Sequence, residues 1–446
     1  MATLAGFGIS SPGGATRAEV GALRPAHQGA LARQGLIIAL FLAVTVFSRF
    51  GINLGSYPLS FSLFIAYGLV IIALASGNLA ISPSRLLVYC SGVVIGIVSL
   101  VVNTSFAPAD RSSATSLLLL MVIYLPLVFV LWPTANQEQE LRWTMRVFSN
   151  IAFFCGIAGI AQFFAQFVIH ADWLFDFTPY IPTALQQGGI YNTVIPVGSL
   201  YKSNGFFFRE PSGASFVMAL ALLVEMSFFH RPLRMVTFAL ALVVTYSGTG
   251  LLALMIGFLF SVRPQTVGRL TLVAIVGGLC AWAASDVLNL SFTLNRIHEF
   301  TEERSSAYIR YVAPMRLVND ILFDHPWSFW IGFGPGTISR LSQTDYEFHD
   351  PTWAKLLVEY GILGFAAFLT LITACIRRRA LPLQVQAVLF FSWLVMGGHL
   401  LTPDAVYLVV VLGGIVGAAS LAGSTAKPDV GEAPTNNQGV AWDIPR

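Results

Sequence analysis

The sequence predicts an all-α polytopic membrane protein with about 12 transmembrane helices. Of its 446 residues, 56% are hydrophobic and 11% are charged, and the mean hydropathy is +0.72. Soluble proteins carry about 25% charged residues. Apolar runs of about 20 residues, which is the length that crosses a bilayer, recur along the chain. Stretches such as 117–131 and 35–47 are apolar on every side, which favours helices because barrel strands alternate apolar and polar residues.

The predicted helices fill a single transmembrane domain over residues 34–422. The terminal segments 1–33 and 423–446 are predicted to be disordered cytoplasmic tails, and the first of them is rich in Gly, Ala, Ser and Pro. Two short spans meet at Ser247-Gly248-Thr249-Gly250, where glycines and small hydroxyl residues favour a tight turn. The predicted spans are 35–54, 58–76, 85–105, 115–132, 147–169, 213–229, 234–247, 249–262, 268–285, 353–374, 383–401 and 405–422.

The distribution of arginines predicts the orientation, because short cytoplasmic loops carry an excess of Lys and Arg. With both termini in the cytoplasm, the short outer loops hold only Arg111, with Arg49 near the end of the first span. Two long segments, about 170–212 and 286–352, then lie outside. Their many aromatic residues favour folded, functional loops over disorder. The arginines of the short cytoplasmic loops are Arg85, Arg142, Arg146, Arg231, Arg234, Arg263, Arg269, Arg377, Arg378 and Arg379.

Charged residues end the first long outer loop. Lys202, Arg209 and Glu210 precede Pro211-Ser212, a pair that favours the start of a helix. Glu210 would lie close to the positive end of that helix dipole. The two basic residues could face an anion at the membrane surface, with Glu210 orienting one of them. An ordinary capped helix start accounts for the same residues.

The second long outer loop contains a predicted amphipathic helix over residues 304–323, opened by Ser305 or Ser306. The run Gly332-x-Gly334-x-Gly336 follows it. Such glycines allow a ligand to approach the backbone closely, but the run lacks the strand that precedes a phosphate loop. A turn at the membrane edge is an equally good interpretation. The arginines of this loop that could bind an anion are Arg296, Arg304, Arg310 and Arg316.

The pair His349-Asp350 lies just outside a predicted span. A histidine titrates near neutral pH and could therefore serve as a general base. Lys355 and Glu359 are four residues apart on one helical face and can pair with each other, although Glu359 lies deep in the span, where an ionisable residue needs a reason. His399 lies near an outer end of a span, and a packing role is the favoured interpretation for it.

Four ordered patches between about residues 200 and 364 resemble the bacterial O-antigen polymerase and ligase family, and within it the exopolysaccharide repeat-unit polymerases. The patches are Gly205 to Glu210-Pro211-Ser212, Thr245 to Gly250, Gly332-x-Gly334-x-Gly336 after Arg310, and His349 to Glu359-x-Gly361 and Gly364. The resemblance implies a GT-C-like glycosyltransferase of the bacterial inner membrane. Such enzymes join oligosaccharide repeat units that undecaprenyl diphosphate carries at the periplasmic face.

The resemblance implies catalytic roles for Arg310, His349 and Arg209. The family commonly places a glutamate nine residues after the histidine, whereas Glu359 is ten after His349, so Asp350 could take the role instead. Arginine suits the stabilisation of a diphosphate leaving group because its forked donors are always charged. No metal, cofactor or nucleic acid is expected. The residues expected to bind substrate are Lys202, Glu210, Arg296, Arg304, Arg316, Gly334, Gly336, Asp350 and Glu359.

Three other functions are compatible with the sequence. A ligase would transfer the glycan to another lipid acceptor, but ligases typically carry an arginine after the serine of the short-helix break, where this chain has Gly248. A transporter or flippase would place ionisable residues at mid-membrane depth, and here they gather at the outer interface. An accessory scaffold without catalysis is the third. Expected partners are membrane lipids, a repeat-unit flippase and a chain-length regulator.

Overall fold

The computed structural model describes residues 32–54, 57–106, 112–131, 137–169, 171–176, 178–186, 194–261, 268, 271, 275, 301–302, 305, 307–323, 326–341, 347–377 and 380–413. Its helices, numbered along these residues, are α1 (Ala32–Thr45), α2 (Phe61–Ala75), α3 (Pro83–Phe106), α4 (Ala114–Tyr124), α5 (Gln137–Ala165), α6 (Pro211–Val224), α7 (Pro232–Val244), α8 (Gly248–Leu259), α9 (Ala313–Ile321), α10 (Ser328–Ile331), α11 (Thr352–Ile376), α12 (Leu383–Leu394) and α13 (Pro403–Gly413).

Short strands, short 3-10 helices and two π-helical turns are the other secondary structure of the described residues. One π-turn, Glu225–Phe229, extends α6, and the other, Tyr308–Val312, precedes α9. The strands form antiparallel pairs, β1 (Gly51–Leu54) with β2 (Tyr57–Ser60), β3 (Leu79–Ile81) with β4 (Phe129–Leu131), and β5 (Pro196–Val197) with β6 (Leu200–Tyr201).

Among the described residues, 4 helices are long and apolar enough to cross a membrane. They are α3, α5, α6 with its π-turn, and α11, and the chain is therefore a multi-pass membrane protein. Helix α6 lies at the centre of the bundle, and nearly all of its residues are buried. This burial agrees with its sequence, which is apolar on every side. The remaining apolar helices have between 10 and 17 residues.

Three predicted spans end earlier than the sequence pattern suggested, and one of them, 115–132, is helical only to Val128 before strand β4 begins. The first, 35–54, is helical only to Thr45, and its last residues form strand β1. Ser48 follows the end of the helix, and its hydroxyl donates a hydrogen bond to the carbonyl of Phe207 at 3.0 Å. The span 383–401 ends as a helix at Leu394, ahead of Gly397 and Gly398, which are poor helix formers.

The predicted break between two short spans is confirmed. Helix α7 ends at Val244 and α8 begins at Gly248, and between them Tyr246 has a φ of 48°. Gly250 allows α8 to lie against α6, since a Cβ at this position would come within 2.6 Å of the Ser215 carbonyl oxygen. The Gly250 N–H donates to the Ser215 hydroxyl at 3.1 Å.

The predicted amphipathic helix of the second outer loop is present in part as the π-turn Tyr308–Val312 followed by α9. Ser305 opens it, because its hydroxyl accepts a hydrogen bond from the Tyr308 N–H at 3.1 Å. Arg296, Arg304 and Ser306 lie outside the described residues, and so does most of the predicted span 268–285. Both predicted tails also lie outside them, apart from the first residues of α1.

A glycine loop, residues 332–336, crosses α11 where this helix is broken, and the backbone of the loop contacts the backbone of the helix. The break is at Gly361, whose φ is 63°. A Cβ on Gly361 would collide with the backbone of Trp330 and Ile331, and a Cβ on Gly332 would lie 2.5 Å from the Tyr360 nitrogen. The Phe333 N–H donates to the Val358 carbonyl at 2.8 Å. This crossing fixes the second outer loop to α11.

Two sets of charged residues lie at the two opposite ends of the helix bundle. One end of the bundle carries residues 201–210, 347–352 and 398–404, and we call it the loop face. The other end carries the ion pairs of Arg33 with Glu140 and of Arg231 with Glu225. The charged residues predicted for opposite sides of the membrane therefore lie at opposite ends of the helices.

We expect Gly361→Ala to destabilise the protein by more than about 3 kcal/mol, since the new Cβ would meet backbone atoms and the left-handed φ disfavours a side chain. The measurement is thermal or denaturant unfolding of the purified protein in detergent. Gly68→Ala is the matched control, because a Cβ on Gly68 in α2 meets nothing within 4 Å. Equal stability of the two variants would contradict the tight crossing at Gly361.

Candidate functional site

The segment before α6 is held by one buried glutamine. Gln162, on α5, accepts hydrogen bonds at its Oε1 from the N–H groups of Asn204 and Gly205, at 3.0 and 2.9 Å, and from the Ser203 hydroxyl at 2.8 Å. Gly205 and Phe206 follow with φ values of 66° and 62°. These contacts fix the turn that leads into Arg209 and Glu210. A polar residue inside an apolar span was the available signal for Gln162, and sequence reasoning missed it.

Glu210 and Arg310 bring together the two long loops that the sequence predicts to lie outside the membrane. The Glu210 carboxylate lies 3.9 Å from the Arg310 guanidinium and accepts a hydrogen bond from the Ser212 hydroxyl at 2.8 Å. Glu210 occupies the N-cap position of α6, and Arg310 lies on the π-turn before α9. Lys202, predicted beside them, has a buried side chain, and its backbone N–H donates to the Ile195 carbonyl at 2.9 Å.

His349 lies beside Arg310, because its backbone N–H donates to the Ile309 carbonyl at 3.0 Å. Its side chain reaches solvent but has protein packed around it. This partial burial lowers the pKa of His349, and the positive charge of Arg310 lowers it further, while the carboxylates of Asp350 and Glu210 act in the opposite direction. The imidazole is therefore neutral at pH 7 and can accept a proton.

The turn between α12 and α13 supplies a second histidine to the same place. A Cβ on Gly398 would lie 2.7 Å from the Asp350 carboxylate, so this turn passes directly over Asp350. His399 lies within electrostatic range of Arg310, Glu210 and Asp350. Sequence reasoning placed His399 near an outer end of a span and did not favour a ligand-binding role for it.

The Lys355 ammonium forms an ion pair with Asp350 and is itself almost fully buried. Its predicted pairing with Glu359 is replaced by this closer contact, although Glu359 still lies near enough to interact electrostatically. Helix α11 begins between the two members of the pair. The ion pair therefore ties the segment that carries His349 to the first turn of α11.

Glu359 supports the glycine loop from within α11. Its Oε1 accepts a hydrogen bond from the Ile338 N–H at 3.4 Å, and its backbone carbonyl accepts one from the Gly334 N–H at 3.1 Å. Gly334 and Gly336 are buried, and a Cβ on them would come within 2.7 Å of the Ser112 hydroxyl and 2.6 Å of the Ser116 hydroxyl, respectively. The close approach that these glycines allow is thus to protein atoms.

Arg209 lies next to a second group of charges on the loop face. The Arg49 Nε donates to the Phe208 carbonyl at 2.8 Å, and Arg49 and Arg209 are electrostatic neighbours. Asp404, at the start of α13, also interacts with Arg209. The Ser60 hydroxyl donates to the Asp404 carboxylate at 2.7 Å. Sequence reasoning placed Arg49 at the end of a span but gave it no role.

Arg316 lies on α9 with its side chain about half exposed, and its Nε is 3.9 Å from the carboxylate of Asp320. Within the part of the chain that the structure describes, no group of three or more His, Cys, Asp or Glu side chains could hold a metal ion. The charged and titratable residues that the structure describes at the loop face include Arg310, Glu210, His349, Asp350 and His399, together with Arg49, Arg209 and Asp404.

The fold is that of a multi-pass helical membrane protein, and its charged loop residues converge in a polar site at one end of the helix bundle. The sequence profile of the WcaD colanic acid polymerase family matches residues 36–416, which is most of the chain. The chain therefore belongs to this family. No curated protein matches the chain. The predicted resemblance to exopolysaccharide repeat-unit polymerases is confirmed, and family membership supports a polysaccharide polymerase of the glycosyltransferase type.

We expect Gln162→Leu to lower the free energy of unfolding by about 2–4 kcal/mol, because it leaves buried N–H groups without their acceptor. Thermal unfolding of the purified protein measures the loss. Gln384→Leu is the control, since the Gln384 amide donates to the Ser227 hydroxyl at 3.0 Å on the opposite end of the bundle. A smaller effect for Gln162→Leu than for Gln384→Leu would contradict the organising role of Gln162.

Proposed function

We propose that the protein joins oligosaccharide repeat units carried on undecaprenyl diphosphate, with its site on the periplasmic face of a bacterial inner membrane. The observation that carries this proposal is the meeting of Glu210, Arg310 and His349 from two different outer loops. Membership in a polysaccharide polymerase family supports the reaction type. The excess of arginines in the loops at the opposite end supports the orientation.

In the proposed reaction, a hydroxyl of the acceptor glycan attacks the anomeric carbon of the donor glycan. The bond from that carbon to the diphosphate oxygen breaks, and the diphosphate keeps the electron pair. Arg310 and Arg209 stabilise the negative charge that develops on the leaving group, since charge-assisted hydrogen bonds are strongest when the acceptor is anionic. Glu210 orients Arg310, which lies 3.9 Å away.

The proton of the attacking hydroxyl passes to a base, and His349 is the best placed. Its side chain reaches solvent at the loop face, and its lowered pKa keeps the imidazole neutral near pH 7. His399 and Asp350 are the neighbouring alternatives. Lys355 already engages the Asp350 carboxylate in an ion pair, which favours a histidine as the base.

The other predicted site residues fall into two groups. Arg316 and Lys202 remain candidates for binding sugar or phosphate groups, as do Arg296 and Arg304. Gly334, Gly336 and Glu359 lie behind the charged cluster, and their contacts with α3, α4 and α11 favour a supporting role over direct contact with substrate. A repeat-unit flippase would deliver the substrate, and a chain-length regulator would act on the growing polymer.

We expect Arg310→Ala to lower polymer formation by roughly 10²–10³-fold, because it removes charge stabilisation from the leaving group. Single repeat units should then accumulate on the lipid carrier in cells. The measurement is the length distribution of carrier-linked glycans. Arg142→Ala is the matched control, since Arg142 lies at the opposite end in an exposed pair with Glu138 at 3.3 Å.

Unchanged chain length in the Arg310→Ala variant would contradict the catalytic role of Arg310. If the polymer formed normally but was no longer transferred to a final acceptor, the chain would be a ligase. If repeat units failed to reach the periplasmic face, it would be a flippase.

We expect kcat/KM for polymerisation to fall as the pH drops through the pKa of His349, which lies below the usual value of 6.5. The reason is that only the neutral imidazole accepts a proton. His349→Gln should lower the rate by roughly 10²-fold or more and remove this inflection from the pH profile. An acid limb that is identical in His349→Gln and in the unaltered protein would assign the base to another group, and His399→Gln would then be the variant that loses it.

A further inference from the structure

A buried carboxylate organises the end of the bundle opposite to the loop face. Glu225, on the π-turn that extends α6, is fully buried. It pairs with Arg231, the N-cap of α7, whose Nε donates to its Oε2 at 3.0 Å, and it accepts a hydrogen bond from the Ser149 hydroxyl of α5. Arg234, on α7, lies 4.0 Å from the same carboxylate. Two guanidinium groups are thus held beside one negative charge where α5, α6 and α7 meet.

Aromatic rings bring a third arginine into this group. The guanidinium carbons of Arg146 and Arg231 lie 5.7 and 4.6 Å from the centre of the Phe229 ring. Arg234 lies in the same way against the Phe153 ring of α5, at 4.9 Å. The ring faces attract cations, so they hold the guanidinium groups without neutralising their charge. All three arginine side chains reach solvent, and we call the three the arginine cluster.

The arginine cluster carries more positive charge than the neighbouring carboxylates balance. Its three guanidinium groups surround the single carboxylate of Glu225. The acidic residues of α5, Glu138 and Glu140, pair with Arg142 and Arg33 instead. Like charges held so close together repel each other. An anion bound at the cluster would therefore complete its charge balance.

Exposed apolar residues lie along the helices beside the arginine cluster. Ile157 lies on the face of α5 that carries Arg146, about three helical turns further along. On α7, Leu233, Val236 and Leu240 form a stripe with helical spacing, and these three side chains are between 40% and 74% exposed. Because α7 packs along α5, which is long and apolar enough to cross the membrane, lipid tails cover these side chains.

We propose that the arginine cluster binds the headgroup of an anionic phospholipid in the leaflet opposite to the loop face, with the acyl chains along the exposed apolar faces of α5 and α7. Phosphate oxygens accept charge-assisted hydrogen bonds from guanidinium groups. Anionic headgroups also attract basic residues at the membrane surface. The apolar stripe of α7 begins directly beside the cluster, which favours a lipid over a free anion. This site lies at the other end of the bundle from the proposed reaction and does not rest on the proposed function.

The test is native mass spectrometry of the full-length protein in detergent, titrated with dioleoylphosphatidylglycerol or with dioleoylphosphatidylethanolamine. The two lipids have the same acyl chains and differ in headgroup charge. We expect phosphatidylglycerol to be retained roughly tenfold more tightly, because its phosphate completes the charge balance of the cluster. The variant that combines Arg146→Gln with Arg234→Gln should lose this preference. Arg142→Gln is the matched control and should keep it, since Arg142 lies one turn earlier on the same face of α5 but pairs with Glu138 at 3.3 Å.

Photo-crosslinking with a phosphatidylglycerol that carries a diazirine on one acyl chain should label peptides of α5 and α7. Equal retention of the two lipids would overturn the proposal, and so would a preference that survives in the double variant. Absence of label from α5 and α7 in a protein that is dimeric in the same spectra would assign this face to a second copy of the chain and overturn it also. If the double variant fails to fold, Arg146→Gln alone decides, because the Arg146 side chain is exposed. It should weaken phosphatidylglycerol retention by about threefold or more, and unchanged retention would overturn the proposal.

Discussion

The crossing of the glycine loop over the break in α11 is the constraint on which the loop face depends. Gly332 and Gly361 let two backbones touch where any side chain would separate them. Glu359 then holds the loop from below through the N–H of Ile338. A buried carboxylate is costly unless it is hydrogen-bonded or paired, and this contact and the nearby Lys355 ammonium offset part of that cost. The crossing thus attaches the second predicted outer loop to the backbone of α11.

The crossing also positions the residues proposed for catalysis. The helix α9 packs against the first half of α11 through a small apolar cluster that includes Leu317, Val318, Ala354 and Val358. Arg310 lies just before α9, and His349 just before α11, so the packing of these two helices brings them together. The first outer loop reaches the same place by a different route, since Gln162 on α5 fixes the turn before Arg209 and Glu210. Two independent scaffolds therefore meet at the Glu210–Arg310 pair.

The sequence predicted the helical membrane architecture, the break at Ser247 to Gly250, a helix start at Ser305 or Ser306 and the polymerase family, because each depends on local composition or on short motifs. It placed Glu210, Arg310 and His349 in outer loops, and the structure brings them together. Contacts between residues that are far apart along the chain could not be predicted from the sequence. Lys355 pairs with Asp350 and not with Glu359, because the chain turns just before α11 and brings the aspartate back over the helix.

Three further differences also depend on contacts between residues that are distant along the chain. Gly334 and Gly336 were expected to contact substrate, but the atoms closest to them belong to the protein. The spacing of the glycines is the same whether the backbone approaches a ligand or another part of the chain, so the sequence could not distinguish the two. His399 lies in a glycine turn whose place above Asp350 depends on how α12 and α13 pack. The early end of α1 depends on Ser48 and Arg49, whose partners Phe207 and Phe208 are far along the chain.

In the proposed reaction, the loop-face cluster catalyses formation of a glycosidic bond while the bond between the donor sugar and the diphosphate breaks. The most direct measurement supplies the purified full-length protein with a synthetic polyprenyl-diphosphate-linked repeat unit and counts the products. We expect one polyprenyl diphosphate to be released for each new linkage, with the growing glycan still attached to a lipid carrier. Release of the diphosphate without growth of the glycan, or growth without its release, would contradict the proposed reaction.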